Sequence, residues 1–275
     1  MGLRIQNNVE AFNAHRNLNL TAGKAAKAME KLSSGSRINR AADDAAGLAI
    51  SEKMRSQIGG LAVAQRNAQD GVSLVQTAEG ALNTVTSMLQ RVRDLKVQFD
   101  NGTLAPADKD AIAIEIGALA TEITNIGSQT KFNGTTLLAG TAVTFQVGAN
   151  SGETISTTAF TLATGASGAS AVASLSGSTT SAAVSGLTLD NIDTAISNVG
   201  SARANLGAVQ NRLEYRIQNL ASYQENLVAS ESRIRDVDMA QEMVEFSKLN
   251  ILQQAGTSML AQANQAPQSV LSLLR

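Results

Sequence analysis

The sequence predicts a mainly α-helical protein: a long antiparallel coiled-coil bundle, a rod formed by its N- and C-terminal halves, with paired terminal helices and a small β-rich or irregular centre. Three observations predict it. Apolar or small residues step by three and four from Leu61 through Ala64, Ala68, Gly71, Val75, Ala78, Leu82, Val85, Leu89 and Val92, reaching Phe99 after one interruption at Lys96. An apolar residue recurs at every seventh position through Ile192, Val199, Leu206, Leu213, Leu220, Leu227 and Ile234. Between Lys131 and Asp190 the only charged residue is Glu153. The first two patterns are coiled-coil seams, and the third marks a break between them.

The elements follow in order. Residues 3–32 form a first amphipathic helix with Leu3, Ile5, Val9 and Phe12 at its start and Ala25, Met29 and Leu32 at its end. Ser33, Ser34, Gly35 and Ser36 break it, and a charged knot from Arg37 to Asp44 follows. Asp43 and Asp44 stand where a cap and a first-turn carboxylate meet the positive end of a helix dipole, with a salt link expected to Arg37 or Arg40. A helix from there to Phe99 would be about 85 Å long at roughly 1.5 Å per residue. Gly59 and Gly60 within it suggest either a hinge or a close helix contact. Asp100-Asn101-Gly102 reads as a turn, and Pro106 fits the first position of a new helix, where its missing N–H has no partner to lose. Ile112, Ile116, Leu119, Ile123 and Ile126 repeat the seam there, so this helix is expected to fold back antiparallel on the long one.

Val143–Val147 and Thr154–Ser156, separated by a Gly- and Asn-rich turn, read as two short strands. The Gly/Ser/Ala/Thr mixture beyond them reads as a small exposed excursion of weak order, offering only Leu162, Val172, Leu175 and Val184 to bury. Because the seams on both sides are complete without it, it is expected to be dispensable for assembly. From Leu189 the seven-residue repeat takes over, with mixed polar residues at its second seam position, which suits a bundle of several helices. A last helix with the row Met239, Met243, Phe246, Leu249, Leu252 and Met259 is expected to end at Pro267, followed by the apolar tail 270–275. The expected division is therefore 1–42 with 236–275 as terminal helices, 43–140 with 187–235 as the coiled-coil rod, hairpin elements near 141–158, and 159–186 as the exposed centre.

Composition narrows function. Aromatics make up 3% of the chain, Trp and Cys are absent and the formal net charge is −1, so there is neither a thick aromatic core, nor thiol or disulfide chemistry, nor a basic field for nucleic acid. No cleavable signal pattern opens the sequence, and Gln6 stands where a myristoylation motif needs Ser or Thr. The uncharged windows are too rich in Ser, Thr, Gln and Asn to span a bilayer. His15 is the sole histidine, and no carboxylate cluster stands near it in sequence; the adjacent Asp43 and Asp44 diverge on a helix and cannot flank a reacting bond. No phosphate-binding loop, nucleophile elbow or zinc spacing occurs. No enzymatic activity, cofactor or metal is expected.

Specific motifs then resemble a known family. Leu32-Ser33-Ser34-Gly35, Arg37-Ile38-Asn39 and Asp43-Asp44-Ala45-Ala46-Gly47-Leu48-Ala49-Ile50, with Arg66-Asn67-Ala68, Gln76–Leu82, Thr130–Gly134, Phe145–Asn150 and the tail 270–275, resemble bacterial flagellin over about 1–150 and 188–275. Arg40 replaces a residue that is often small in that family. The resemblance implies a homopolymeric subunit of the helical flagellar filament, extracellular, exported unfolded by a type III apparatus and used for swimming. By it the terminal helices form the inner tube, with Ile5, Val9, Phe12, Phe246, Leu252, Leu271 and Leu274 as assembly residues, and the seam leucines Leu82, Leu89, Leu206, Leu213, Leu220 and Leu227 hold the surrounding shell.

An export chaperone and a filament cap protein are implied as partners. Arg91, Leu95 and Gln98, with Glu115 on the neighbouring helix, match a surface that in some flagellins contacts Toll-like receptor 5 of a host, and that in a filament would meet a neighbouring subunit. A hook–filament junction protein, or another type III-secreted coiled-coil protein, is the alternative. The first diverges in the loop and long-helix motifs seen here, and a membrane-active member of the second needs a long apolar hairpin that this chain lacks.

Overall fold

The computed structural model describes residues 8–162, 172–177 and 180–273. Its elements are α1 (Val9–Ser34), α2 (Ala45–Phe99), α3 (Pro106–Gln129), the strand pair β1 (Lys131–Phe132) and β2 (Thr135–Thr136), the strand pair β3 (Thr144–Gln146) and β4 (Thr154–Ser156), a short α4 (Ser181–Ser185), α5 (Leu189–Arg235) and α6 (Met239–Leu273). They form two compact units, Gln57–Glu225, and Met1–Ser56 with Asn226–Arg275. The division runs through α2 and α5, so the expected boundaries at 42/43 and 235/236 fall inside the second of these units. The reason is local. The Arg37 amide donates to the Arg235 carbonyl, the Val237 amide donates to the Gly35 carbonyl, and Arg235 pairs with Glu52, which ties the loop and the first turns of α2 to the end of α5.

In the unit Gln57–Glu225, α2 lies between α3 and α5. Arg91 pairs with Glu115 of α3 and Arg93 with Asp193 of α5; residues two apart on a helix point about 200° apart at 3.6 residues per turn, so the two partners sit on opposite sides. Glu79 meets Arg203 while Arg93 meets Asp193, so α2 and α5 run antiparallel. Every apolar residue of the expected α2 seam is buried, Leu82 and Val85 completely. On α5, Ile192, Val199, Leu213 and Leu220 are buried, while Leu206 and Leu227 are half-buried.

Lys96 departs from expectation. It holds its seam position, 4% exposed, with its ammonium paired to Asp100 and 5.0 Å from the centre of the Phe99 ring. Its stem packs as an apolar residue while its charge is met by the Asp100 carboxylate at the helix end. The three-four step is therefore continuous through the expected interruption.

The β elements pack on these helices. β3 and β4 pair antiparallel with Phe145 opposite Ile155, as the sequence suggests, and both side chains enter the core. A Cβ on Gly71 would lie 3.2 Å from both Leu213 and Phe145, and one on Gly60 would lie 3.0 Å from the Ala149 Cβ, whereas Gly59 faces open space. Gly60 is thus a close contact of helix with hairpin loop. The pair β1–β2 was not expected as strands; its turn, Asn133 at φ 48° and Gly134 at φ 82°, has both central residues left-handed, which suits a two-residue hairpin.

The expectation of a weakly ordered, exposed centre is corrected for its described part. Leu162, Val172, Leu175, Val184 and Leu187 are all buried in the same core as α2, α3 and α5. Leu162 fills the space that a side chain at Gly127 would take, the Thr121 hydroxyl accepts from the Gly177 amide, and Asp110 accepts from the Ser181 amide. The large apolar residues among the described part of this segment are thus spent on the core, and its contacts with Gly127, Thr121 and Asp110 lay it against α3. Residues 163–171, 178 and 179 lie outside the described residues.

In the unit of Met1–Ser56 with Asn226–Arg275, α1 begins after Asn8, whose Oδ1 accepts from the Ala11 amide at 3.0 Å, and ends at Gly35 with φ 69°. α6 runs antiparallel to it. Asn8 Nδ2 donates to the Ala263 carbonyl at 2.7 Å, Leu18 lies beside Gly256, and Lys31 meets Glu242 at 3.6 Å. The buried core between them is small: Ala25, Ala28 and Leu249, with Phe246 packed against it. Pro267 does not end α6, which continues to Leu273.

The acidic pair in the loop divides its tasks. α2 begins at Ala45, capped by Asp44, whose Oδ1 accepts from the Gly47 amide at 2.9 Å. Asp43 lies in the loop before it, accepting from the Asn39 and Arg40 amides and pairing with Lys27 at 3.0 Å. The expected links to Arg37 or Arg40 are not made. Arg37 instead donates to the Ile234 carbonyl and Arg40 pairs with Glu30.

Candidate assembly surfaces

The described residues offer nothing arranged for catalysis. They contain no group of three or more His, Asp or Glu placed to hold a metal, and His15 is exposed on α1 with Asn19 as its neighbour at 3.3 Å. Among them no helix is long and apolar enough to cross a membrane. What they do offer is unpartnered apolar surface on the terminal helices.

On α1, Val9 is 56% and Phe12 70% exposed, and Leu20 and Met29 also face outward. On α6, Val244 is 71% and Ile251 66% exposed, accompanied by Met239, Met243, Leu252 and Met259. Of the residues named from the sequence, Val9, Phe12 and Leu252 are therefore exposed, while Phe246 packs against the small core between α1 and α6. Leu271 falls within α6; Ile5 and Leu274 lie outside the described residues. Sequence reasoning missed Val244 and Ile251 because it followed a single row along α6, and a helix that contacts α1 on one side and other copies elsewhere needs apolar residues on several sides.

Ion pairs hold the loop next to these helices. The Lys27 ammonium bonded to Asp43, helped by the Arg40 and Asn39 amides, holds the Asp43 carboxyl below its ordinary range. The bond from Arg235 does the same for Glu52. Both carboxylates are stabilised in the charged form by the fold.

The second predicted surface is brought together in part. Arg91 makes a charge-assisted pair with Glu115 at 2.7 Å, and Gln98 is exposed further along α2. Leu95 does not belong with them. It is 2% exposed and sits in the main core, because α2, packed on two neighbours, needs a second buried row beside the seam, and Leu74 and Leu95 supply it. The apolar members that do reach the surface nearby are Val97 and Ile114.

Among the described residues the protein is a helical bundle with one well-filled core and a thinly filled pair of terminal helices that leaves apolar side chains in solvent, the kind of surface a structural protein uses to associate with other chains. Family models assign it. The model described as the bacterial flagellin N-terminal helical region matches residues 5–143, and that of the C-terminal helical region matches residues 189–274. The chain is 53% identical to a flagellin of Halalkalibacterium halodurans over 98% of this chain and 99% of that one. It is 49% identical to a flagellin of Bacillus subtilis over 99% of this chain and all of that one. A putative flagellar hook-associated protein from Vibrio parahaemolyticus shares the fold, with a TM-score of 0.56 at 17% identity over 70% of this chain and 100% of that one. The chain belongs to the bacterial flagellin family. It is a structural subunit of the flagellar filament, self-polymerising, and not an enzyme.

Proposed function

We propose that polymerisation proceeds by burial of the open faces of α1 and α6 against other copies, with 1–42 and 236–275 forming the inner tube, 43–140 and 187–235 the shell around it, and 159–186 the outward side. The observation that carries this is the contrast between the terminal helices, whose shared core is Ala25, Ala28 and Leu249, and the aliphatic and aromatic side chains they leave in solvent. Burial of a large apolar side chain contributes about 1.5–3 kcal/mol, so a polymer that covers several per subunit gains substantially. Val9, Phe12 and Leu252 carry the contact on this reading, with Ile5, Leu271 and Leu274 as further members, and the seam from Leu82 and Leu89 to Leu206, Leu213, Leu220 and Leu227 keeps the shell rigid.

The same reading places the subunit outside the cell, delivered unfolded through a type III export apparatus with an export chaperone and a filament cap protein as transient partners. The absence of Cys supports an unfolded passage, since no cross-link would have to be broken. Arg91, Gln98 and Glu115 form a lateral contact surface between subunits, and the surface a host Toll-like receptor 5 would meet, without Leu95.

Phe12→Asp and Val244→Asp test the assembly faces. Each is expected to abolish filaments seen by electron microscopy while leaving the monomer's circular dichroism and melting unchanged, because both side chains are already exposed there. Filaments of normal yield from both variants would overturn the proposal.

A further inference from the structure

Asn-Gly occurs twice in the chain, at Asn101-Gly102 and at Asn133-Gly134, and the fold treats the two differently. In such a pair the glycine nitrogen, with no Cβ beside it, can approach the Asn side-chain carbonyl carbon. Both pairs are exposed and nothing lies within 4 Å of where a Cβ would stand on either glycine, so the difference lies in the backbone around each asparagine; Asn101 and Gly102 sit in the turn joining α2 to α3. The Thr103 amide donates to Asn101 Oδ1 at 3.2 Å. A backbone N–H therefore already faces the oxygen on which negative charge develops if Cγ is attacked. Asn133 is held otherwise. Its turn is closed by the pairing of Phe132 with Thr135, and its left-handed backbone, φ 48°, is fixed by that hairpin.

We propose that Asn101 is a site of spontaneous covalent modification, converted by water to aspartate or isoaspartate through a cyclic imide with Gly102. The Gly102 nitrogen gives its proton to solvent base and attacks Cγ of Asn101. The new N–C bond closes a five-membered ring, the Cγ–Nδ2 bond breaks, and the nitrogen leaves as ammonia after taking a proton. Water then adds to one of the two imide carbonyls, and rupture of that carbon's bond to the ring nitrogen gives aspartate, or the isomer whose main chain runs through the former side chain. The sum consumes one water and releases one ammonia, with no change in oxidation state. The new carboxylate appears next to Asp100, the partner of Lys96, and the subunit's formal charge of −1 becomes one unit more negative. A subunit thus acquires a mark of age at the α2–α3 turn.

Mass spectrometry on the full-length chain tests this. The protein is kept folded in mildly alkaline buffer, sampled over time and digested, and isoaspartate is read with an L-isoaspartyl methyltransferase. The peptide containing Asn101 is expected to become one mass unit heavier, and to accept methyl groups, several-fold faster than the peptide containing Asn133. Gly102→Ala, whose side chain enters open space, is expected to slow the conversion several-fold without changing the melting curve. Conversion at Asn133 as fast as at Asn101, or a Gly102→Ala rate equal to the parent's, would overturn the proposal.

Discussion

Gly47 illustrates how one residue of the loop-to-helix stretch is specified by its surroundings. A Cβ there would lie 2.5 Å from Asp44 Oδ2 and 2.8 Å from Ile38 Cδ1, and the Asp44 carboxylate cannot swing aside without releasing the amide it caps. Gly47→Ala is therefore expected to destabilise the fold by about 1–3 kcal/mol, as overpacking typically does, read as a lowered melting temperature. Charge acts at the same scale. Asp43 and Glu52 have folded-state affinities for protons below their ordinary ones, so the stability they contribute is complete above the ordinary carboxylate range, about pH 4, and is lost as pH falls through their depressed values. Acid titration followed by hydrogen exchange at α1 should show protection lost in that window. The loss should be flattened in Asp43→Asn with Glu52→Gln, and an unchanged acid limb in the double variant would contradict this.

Among the elements, α5 gives the sharpest test of register. Leu213 is fully buried and its Cδ1 lies 3.2 Å from the position of a Gly71 Cβ, so it joins α5 to α2 beside Phe145. Leu213→Ala is expected to lose about 2–5 kcal/mol, and Leu213→Asp more, since it buries a charge without a partner. Substitution at the exposed Asn211 should stay within roughly 0.5 kcal/mol. Thermal unfolding of the monomer by circular dichroism distinguishes them, and a parent-like melt for Leu213→Asp would refute the assigned register. The periodicity that singles out Leu213 was plain in the sequence. The burial of Lys96 was not, because a seam is recognised by apolar letters, and a lysine whose stem alone is apolar reads as a gap.

For the whole molecule, the two compact units differ in how they are stabilised. Gln57–Glu225 has an extensive apolar core to which helices, strands and the described centre all contribute, whereas the unit of the two termini has a small one plus ion pairs, and exposed ion pairs contribute little each. Replacing Ser156–Ser185 with a short Gly/Ser linker is consequently not neutral. It removes Leu162, Val172, Leu175 and Val184 from the core, and should lower the monomer's melting temperature and expose apolar surface to a hydrophobic dye. A parent-like melt would show that these residues add nothing to the fold.

The sequence by itself determined the helical class, the two seams, the β3–β4 hairpin, the pairing of the terminal helices and the flagellin motifs, because each is written in local periodicity or in a short string such as the one from Asp43 to Ile50. Through the resemblance to flagellin it also named Val9, Phe12 and Leu252 as residues for assembly, and the fold leaves all three exposed. Only the tertiary structure decided which second row of α2 is buried, and hence that Leu95 leaves the Arg91–Glu115 surface. It likewise decided that the Ser- and Thr-rich centre caps α3, and that Asp43 and Asp44 have separate tasks. These depend on what stands opposite a residue in space. A helix with one neighbour and a helix with two share the same seam, and the difference lies in positions whose letters alone do not say which way they face.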